Sequence, residues 1–105
     1  MIMSFQPDKE ISAHDLAERL GRGEELNIVD VREPVEWEEG HIPGAKHIPL
    51  GQLPQRLEEL DPKQEWFIVC RSGGRSGLAC ELLSESGYNV VNMTGGLLAW
   101  RGELV

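Results

Sequence analysis

The sequence predicts an α/β domain whose central sheet is mostly parallel. Three observations support this expectation: short β-branched runs alternate with amphipathic helical segments, 12 glycines and 6 prolines separate them, and 105 residues suit one core. Strands that alternate with helices pair in parallel within a shared sheet. We therefore expect a single domain over residues 1–105 without internal repeats.

The first half of the chain predicts one clear helix and two strands. Ser12 can cap a helix over residues 13–21 through its side-chain oxygen. Residues 26–31 form a β-branched apolar run, which is typical of a buried strand. Pro34 suits the first turn of a short helix, and residues 46–49 predict an edge strand.

The second half of the chain continues the alternation. Its apolar spacing predicts a helix over residues 51–60, a strand over 66–70, a helix over 76–86, a strand over 88–93 and a final helix near 97–101. The helix over 76–86 is expected to bury an apolar face. That face comprises Leu78, Ala79, Leu82 and Leu83.

The charge of the chain limits its partners. The formal net charge is −8, all of which falls within residues 1–65, whereas residues 66–105 balance to zero. A strongly acidic protein repels the phosphate backbone. We therefore expect no nucleic-acid partner, and a final third that differs electrostatically from the rest.

The location of the protein is expected to be cytoplasmic. Residues 1–8 lack the basic and apolar regions of a secretory signal, and no apolar run reaches the ~18 to 20 residues of a membrane span. Cys70 and Cys80 are too few for a disulfide framework and lack zinc-site spacing. We expect neither membrane insertion nor a bound metal.

The segment that follows the strand over residues 66–70 carries the chemistry. Cys70 ends that strand, at the edge of the sheet where open α/β folds place their reactive groups. Gly73 and Gly74 permit a tight turn in which backbone amides converge, and a helix N-terminus follows. With Arg71 and Arg75 nearby, these features can stabilise a thiolate.

The loop could instead hold a purely structural cysteine or bind a nucleotide phosphate. A cysteine at a strand end is often a small buried hydrophobe, although the glycine pair, the arginines and the helix start argue for reactivity at Cys70. A glycine-rich loop can also bind a nucleotide phosphate. The Gly-x-x-x-x-Gly-Lys-Ser/Thr pattern is absent here, so nucleotide binding is discarded.

Four motifs in order make the chain resemble a single-domain rhodanese, a sulfurtransferase family. They are Asp30-Val31-Arg32-Glu33, His41-Ile42-Pro43-Gly44-Ala45, the loop from Cys70 to Arg75, and Gly95-Gly96 followed by Trp100. The resemblance covers residues 11–101 and implies the rhodanese-like three-layer fold. That fold has a central, mostly parallel sheet of about five strands with helices on both faces.

The resemblance also implies which residues act. Cys70 matches the nucleophile that carries sulfane sulfur as a persulfide. The surrounding substrate-binding loop would comprise Arg71, Ser72, Gly73, Gly74, Arg75 and Ser76. The two arginines match positions that present positive charge to thiosulfate, in contrast with the Cys-Gly-Ser/Thr-Gly loops of 3-mercaptopyruvate enzymes. No cofactor and no metal are implied.

The expected partners are a small anionic sulfur donor and a thiol or cyanide acceptor. Thioredoxin and a cysteine desulfurase are protein partners that the resemblance leaves open. The same domain could instead act as a non-turnover persulfide carrier, or as a partner-binding rhodanese module, fed by another protein. The tyrosine phosphatases of this fold resemble Cys-x-x-x-x-x-Arg, one residue longer than the loop here, so phosphatase or arsenate reductase activity is the weaker enzyme hypothesis.

Other conspicuous residues receive structural interpretations. Cys80 lies inside the predicted helix and is expected in the core. Asp30 and Arg32 are expected to bind backbone or each other. His41 is a conceivable proton donor. A solvated acidic face is expected from Glu33, Glu36, Glu38 and Glu39.

Overall fold

A computed structural model describes residues 9–105, so the N-terminal segment used above for the signal-peptide argument lies outside the described residues. No helix within residues 9–105 is long and apolar enough to cross a membrane. The helices and strands follow in this order: β1 (Glu10–Ser12), α1 (Ala13–Gly21), β2 (Asn27–Asp30), α2 (Pro34–Glu38), β3 (Lys46–His47), β4 (Glu65–Val69), α3 (Gly74–Glu85) and β5 (Asn89–Thr94).

The strands form one five-stranded sheet in the order β1-β5-β4-β2-β3. Every pairing in it is parallel, which confirms the predicted α/β class. β4 lies at the centre, with Ile68 opposite Val29 of β2 and Asn92 of β5. Because parallel strands end at the same edge, the segment after β4 opens among the loops that follow β2 and β5.

The sheet is covered on both faces, as the three-layer expectation requires. Alternate residues of β4 point to opposite sides. Phe67 packs in a cluster with Leu16 of α1, whereas Ile68 packs in a cluster with Leu83 of α3. Each large side chain buried in this way contributes roughly 1.5–3 kcal/mol. The two clusters together hold the reactive edge of the sheet on a rigid base.

The helix predicted over residues 51–60 is wrong in type. The segment forms two 3₁₀ helices, Leu50–Gln55 and Leu57–Glu59. Pro54 lies inside the first of them, and proline removes an amide and clashes with the preceding turn of an α-helix. The final predicted helix is likewise a single 3₁₀ turn over Leu97–Ala99.

The buried face of α3 also differs from the predicted one. Leu78 and Leu82 are 48% and 39% exposed, so they do not belong to the core. The other two predicted residues, Ala79 and Leu83, are buried as expected, and Ser76 and Cys80 complete the stripe that the helix turns toward the sheet. This stripe has the spacing of one helical face, and its register follows from Ser76 being drawn under the loop.

β1 is a strand that the sequence analysis missed. It comprises three residues at the edge of the sheet, and among residues 9–105 it pairs with β5 alone, with Ile11 opposite Met93. Such a short segment carries almost no periodic signal, and Ser12 at its end already caps α1 by accepting a hydrogen bond from the Asp15 amide at 3.0 Å.

Asp30 and Arg32 form a buried ion pair at the end of β2. The Asp30 carboxylate accepts hydrogen bonds from the Arg32 backbone amide at 2.9 Å and from its guanidinium at 2.8–3.0 Å. Arg32 also donates to the Gly40 carbonyl at 2.8 Å. The pair therefore ties the end of β2 to the segment after α2, which is the structural role expected of it.

Candidate active site

Cys70 lies where β4 ends and the loop to α3 begins. Its side chain is fully buried, and its carbonyl accepts a hydrogen bond from the Leu97 amide at 2.9 Å. The neighbouring Arg71 carbonyl accepts one from the Leu98 amide at 3.0 Å. The segment after β5 thus binds the carbonyl groups of the first two peptides of the loop. The sulfur is therefore shielded from solvent in this conformation.

Three polar groups converge on the sulfur of Cys70, and we call them the sulfur cradle. They are the Gly73 amide, 3.0 Å from Sγ, the Ser76 amide at 3.3 Å and the Ser76 hydroxyl at 3.3 Å. Both amides come from the loop and the first turn of α3, so they are part of the positive end of that helix. This arrangement suits a negative charge on sulfur.

The cradle lowers the pKa of Cys70. Burial by itself raises the pKa of this thiol, but hydrogen bonds from the Ser76 hydroxyl and from the amides of Ser76, Gly73 and Ser72 outweigh it. The pKa of Cys70 consequently lies below the ordinary thiol value. Since the thiolate is the nucleophilic form, the geometry favours reaction at this residue.

A polar contact beneath the loop orients the Ser76 hydroxyl. The hydroxyl can donate to the Gly73 carbonyl oxygen at 3.1 Å or to the side-chain oxygen of Asn92 on β5. The Asn92 NH₂ donates to the Gly73 carbonyl at 3.4 Å, which fixes the orientation of that side chain. With its proton on either acceptor, Ser76 Oγ accepts from the Cys70 thiol at 3.3 Å, and the hydroxyl can turn to donate to sulfur once the thiolate has formed.

Two glycines make the tight turn possible. Gly73 has a φ of +109°, which L side chains rarely adopt, and it caps α3 while aiming its amide at Cys70. Gly96 has a φ of +61°, and a Cβ there would lie 2.1 Å from the Arg71 carbonyl oxygen. The glycine pair of the fourth sequence motif therefore permits the close approach that holds the loop.

The two loop arginines differ in their environments. Arg71 is exposed and makes no side-chain hydrogen bond within residues 9–105. Arg75 instead donates two hydrogen bonds to Glu36 of α2, at 2.7 and 2.8 Å. This pairing holds the pKa of Glu36 at about 2 and raises that of Arg75. The expectation that Glu36 belongs to a solvated face is therefore wrong.

The remaining residues of the predicted loop divide between the loop, which keeps Ser72, and the first turn of α3, which takes Gly74. Ser72 and Gly74 are exposed, and α3 begins at Gly74, two residues earlier than predicted. Cys80 is buried in the core, as expected. Burial and the nearby Cys70 raise the pKa of Cys80 to about 12, so it is chemically quiet.

The His41 side chain contacts Trp37 of α2. Its ring stacks on Trp37 with 3.5 Å between centroids, and its Nδ1 lies 3.0 Å from the Trp37 carbonyl oxygen. Its backbone pairs with Val105. No hydrogen bond joins its side chain to the Cys70 loop among residues 9–105, and a role as proton donor stays a hypothesis.

Two residues of the site escaped the sequence analysis. Glu36 is 39 positions from Arg75, and Asn92 is 16 positions from Ser76. The Glu33-x-x-Glu36 spacing does predict the capping box of α2 that the structure contains, which would have fixed where Glu36 sits in the helix. Nothing local to either residue indicates its contact with the loop.

The pH dependence of alkylation tests the cradle. We expect the rate of Cys70 alkylation by iodoacetamide to rise with pH and to level off with a midpoint below the ordinary thiol value of 9.0, since the lowered pKa shifts thiolate formation to lower pH. Cys80 should stay unreactive in the folded protein across this range. Peptide mapping by mass spectrometry separates the two residues.

Substitutions provide the controls for this profile. Ser76→Ala removes the cradle hydroxyl, so the midpoint should move to higher pH, whereas Cys80→Ser should leave the curve in place. A midpoint at or above 9.0 in the unsubstituted protein would contradict the assignment of a stabilised thiolate.

Comparison with known proteins gives a consistent result. The profile of the family described as Rhodanese-like domain matches residues 12–103. "Putative sulfurtransferase YtwF" of Bacillus subtilis is 47% identical over 95 residues, covering 90% of this chain and 92% of that protein. "Putative sulfur carrier protein YrkF" of the same organism is 41% identical over 90% of this chain, which spans 51% of its length.

The solved structures agree with the family profile. The rhodanese-like domain protein of Staphylococcus aureus superposes with a TM-score of 0.87 at 37% sequence identity, covering 92% of this chain and 96% of that one. A rhodanese-related protein of Thermoplasma volcanium gives a TM-score of 0.83 at 32% identity, covering 92% of this chain and 97% of that one. The arrangement of strands and helices is thus shared along almost the whole chain.

Proposed function

The chain belongs to the rhodanese-like domain family, and on this basis we propose that it moves a sulfane sulfur through a persulfide on Cys70. The donor would be thiosulfate or a similar compound, and the acceptor a thiophile such as cyanide or a thiol. The observation that carries the proposal is the sulfur cradle, which places the Gly73 and Ser76 donors within 3.3 Å of one sulfur atom.

The proposed reaction is a double displacement. The Cys70 thiolate attacks the outer sulfur of thiosulfate, the S–S bond of the donor breaks, and sulfite leaves with the bonding electron pair. The product, a Cys70 persulfide anion, carries its charge on the outer sulfur near the loop amides. A thiophilic acceptor then attacks that sulfur and returns Cys70 as the thiolate. Cyanide would leave as thiocyanate, and the cycle needs neither cofactor nor metal.

A persulfide carrier is the second candidate function. The relative named as a sulfur carrier supports it, as does the burial of Cys70, which shields a bound persulfide from solvent. In this role a partner protein would load Cys70 and another would unload it. We propose the cytoplasm as the compartment in either case, because a catalytic thiol stays reduced there.

Steady-state assays separate the two candidates. With thiosulfate as donor and cyanide as acceptor, a sulfurtransferase should release thiocyanate over many turnovers. A carrier should turn over slowly with cyanide, yet accept sulfur quickly from a protein donor such as a cysteine desulfurase. Hydrolysis of an aryl phosphate at neutral pH provides the cross-check, since robust turnover there would favour the phosphatase hypothesis instead.

Arg75→Ala should weaken the use of thiosulfate. The substitution removes one positive charge from the loop and leaves the Glu36 carboxylate without its guanidinium partner, so a dianionic donor meets added repulsion. We expect the KM for thiosulfate to rise at least several-fold in the steady-state assay. Arg101→Ala, at an exposed arginine outside the loop, is the matched control. An unchanged KM in Arg75→Ala would remove Arg75 from donor binding.

A further inference from the structure

The pairing of Arg75 with Glu36 sets part of the charge beside the Cys70 loop. We propose that Glu36 is a specificity-determining residue, acting through Arg75, that disfavours dianionic sulfane donors relative to monoanionic donors of the same shape. The inference rests on the proposed sulfur transfer at Cys70, and it concerns which class of donor the site prefers.

Glu36 is fixed in place by contacts at both of its carboxylate oxygens. Oε1 accepts hydrogen bonds from the Arg75 guanidinium at 2.7 Å and from the Glu33 amide at 2.9 Å, and Oε2 accepts a second one from Arg75 at 2.8 Å. Its side chain is 21% exposed. A carboxylate held by a helix cap and a bidentate arginine does not swing away freely.

The position of Arg75 gives this contact its consequence. Arg75 is the second residue of α3 and directly precedes Ser76, whose amide and hydroxyl face the Cys70 sulfur. The negative charges of Glu36, of Cys70 and of Glu33 all act on the guanidinium of Arg75. The Arg75–Glu36 pair therefore lies next to the groups that hold the sulfur.

The Arg75–Glu36 pair reduces the net positive charge near Cys70. Arg71 and Arg75 supply two positive charges to the loop, and Glu36 cancels one of them. The Cys70 thiolate cancels the other, so a donor approaches a site with little net positive charge on a protein of net charge −8. Repulsion then grows with each negative charge that the donor carries.

Two donors that differ by one charge make this testable. In thiosulfate the group bearing the outer sulfur is a sulfonate, whereas in methanethiosulfonate one oxyanion is replaced by a methyl group. With thiosulfate the thiolate forms the persulfide anion and releases sulfite. With methanethiosulfonate it forms the same persulfide anion and releases methanesulfinate. Each step breaks one S–S bond, forms another and conserves charge.

The experiment compares kcat/KM for the two donors in wild type and in Glu36→Gln, with cyanide as the common acceptor. Glutamine retains an oxygen that can accept the Glu33 amide, so the capping contact is kept while the charge is lost. We expect the ratio of thiosulfate to methanethiosulfonate efficiency to rise about tenfold, mainly through a lower KM for thiosulfate. Both donors deliver sulfur to the same Cys70 thiolate and differ by one charge, so the ratio isolates the charge effect.

Glu38→Gln is the matched control. It removes the same charge from the same helix at an exposed residue that does not contact Arg75. Its donor ratio should stay within twofold of wild type. A ratio that is unchanged in Glu36→Gln would overturn the inference, and so would an equal rise in Glu38→Gln, because the effect would then come from overall charge.

The mass of the donor-treated protein distinguishes failure of the inference from failure of the proposed function. If both donors load Cys70 of wild type and Glu36→Gln leaves their ratio unchanged, sulfur transfer stands and the role of Glu36 falls. If neither donor loads Cys70 when its thiol is reduced, the proposed transfer from small donors falls together with this inference.

Discussion

Cys70→Ser should lose sulfur transfer completely while keeping its fold. A serine hydroxyl is not ionised near neutral pH and cannot form a persulfide, so we expect the rate of thiocyanate formation to drop at least about a thousandfold. The Gly73 amide that donates to the sulfur can donate to a serine oxygen instead, so the buried site keeps a hydrogen-bond partner. Thermal unfolding and activity are measured on the same preparation.

Cys80→Ser is the control for this substitution. Cys80 is buried on α3 with a raised pKa of about 12, so its loss should leave the sulfur-transfer rate close to that of wild type. Full activity in Cys70→Ser would contradict the mechanism. Loss of activity in both variants at an unchanged melting temperature would show that Cys80 also contributes to sulfur transfer, despite its burial.

Asp30→Ala should destabilise the protein by about 3–5 kcal/mol. Asp30 is fully buried and accepts every hydrogen bond of its pair with Arg32, whose side chain is 7% exposed. Its removal leaves the buried guanidinium charge of Arg32 without a partner. Urea unfolding followed by far-ultraviolet circular dichroism gives the change in the free energy of unfolding.

Removing both charges should recover much of that loss. In Asp30→Ala with Arg32→Met no charge is buried, and the groups left without their former partners are neutral: the Gly40 carbonyl and the backbone amide of residue 32. We therefore expect the double variant to be more stable than Asp30→Ala alone. A loss below about 1 kcal/mol in Asp30→Ala would show that the buried pair contributes little to holding the end of β2.

Local sequence patterns account for most of the fold. β2 and β4 lie within apolar runs, at residues 26–31 and 66–70, and their residues are buried or half-buried on both faces, so these runs identify the two strands. The segment around Pro54 fails the same kind of analysis, because leucine spacing at Leu53 and Leu57 fits an α-helix as well as two 3₁₀ turns. The proline decides between them.

Only part of the candidate site could be predicted from local sequence patterns. Cys70, Gly73 and Ser76 lie within seven consecutive positions, so a single loop motif reveals the whole cradle. Glu36 and Asn92 reach the loop from α2 and β5. Their positions depend on how the strands order in the sheet, and neither residue carries a local pattern that encodes this order.

The most direct test of the central claim is the intact mass of the protein after brief exposure to thiosulfate and desalting. Wild type and Cys80→Ser should each gain one sulfur, about 32 Da, and Cys70→Ser should gain none. Alkylation of a separate, untreated sample confirms that the Cys70 thiol is reduced before exposure to thiosulfate. A protein whose reduced Cys70 takes up no sulfur, or a gain that persists in Cys70→Ser, would contradict a persulfide at this residue.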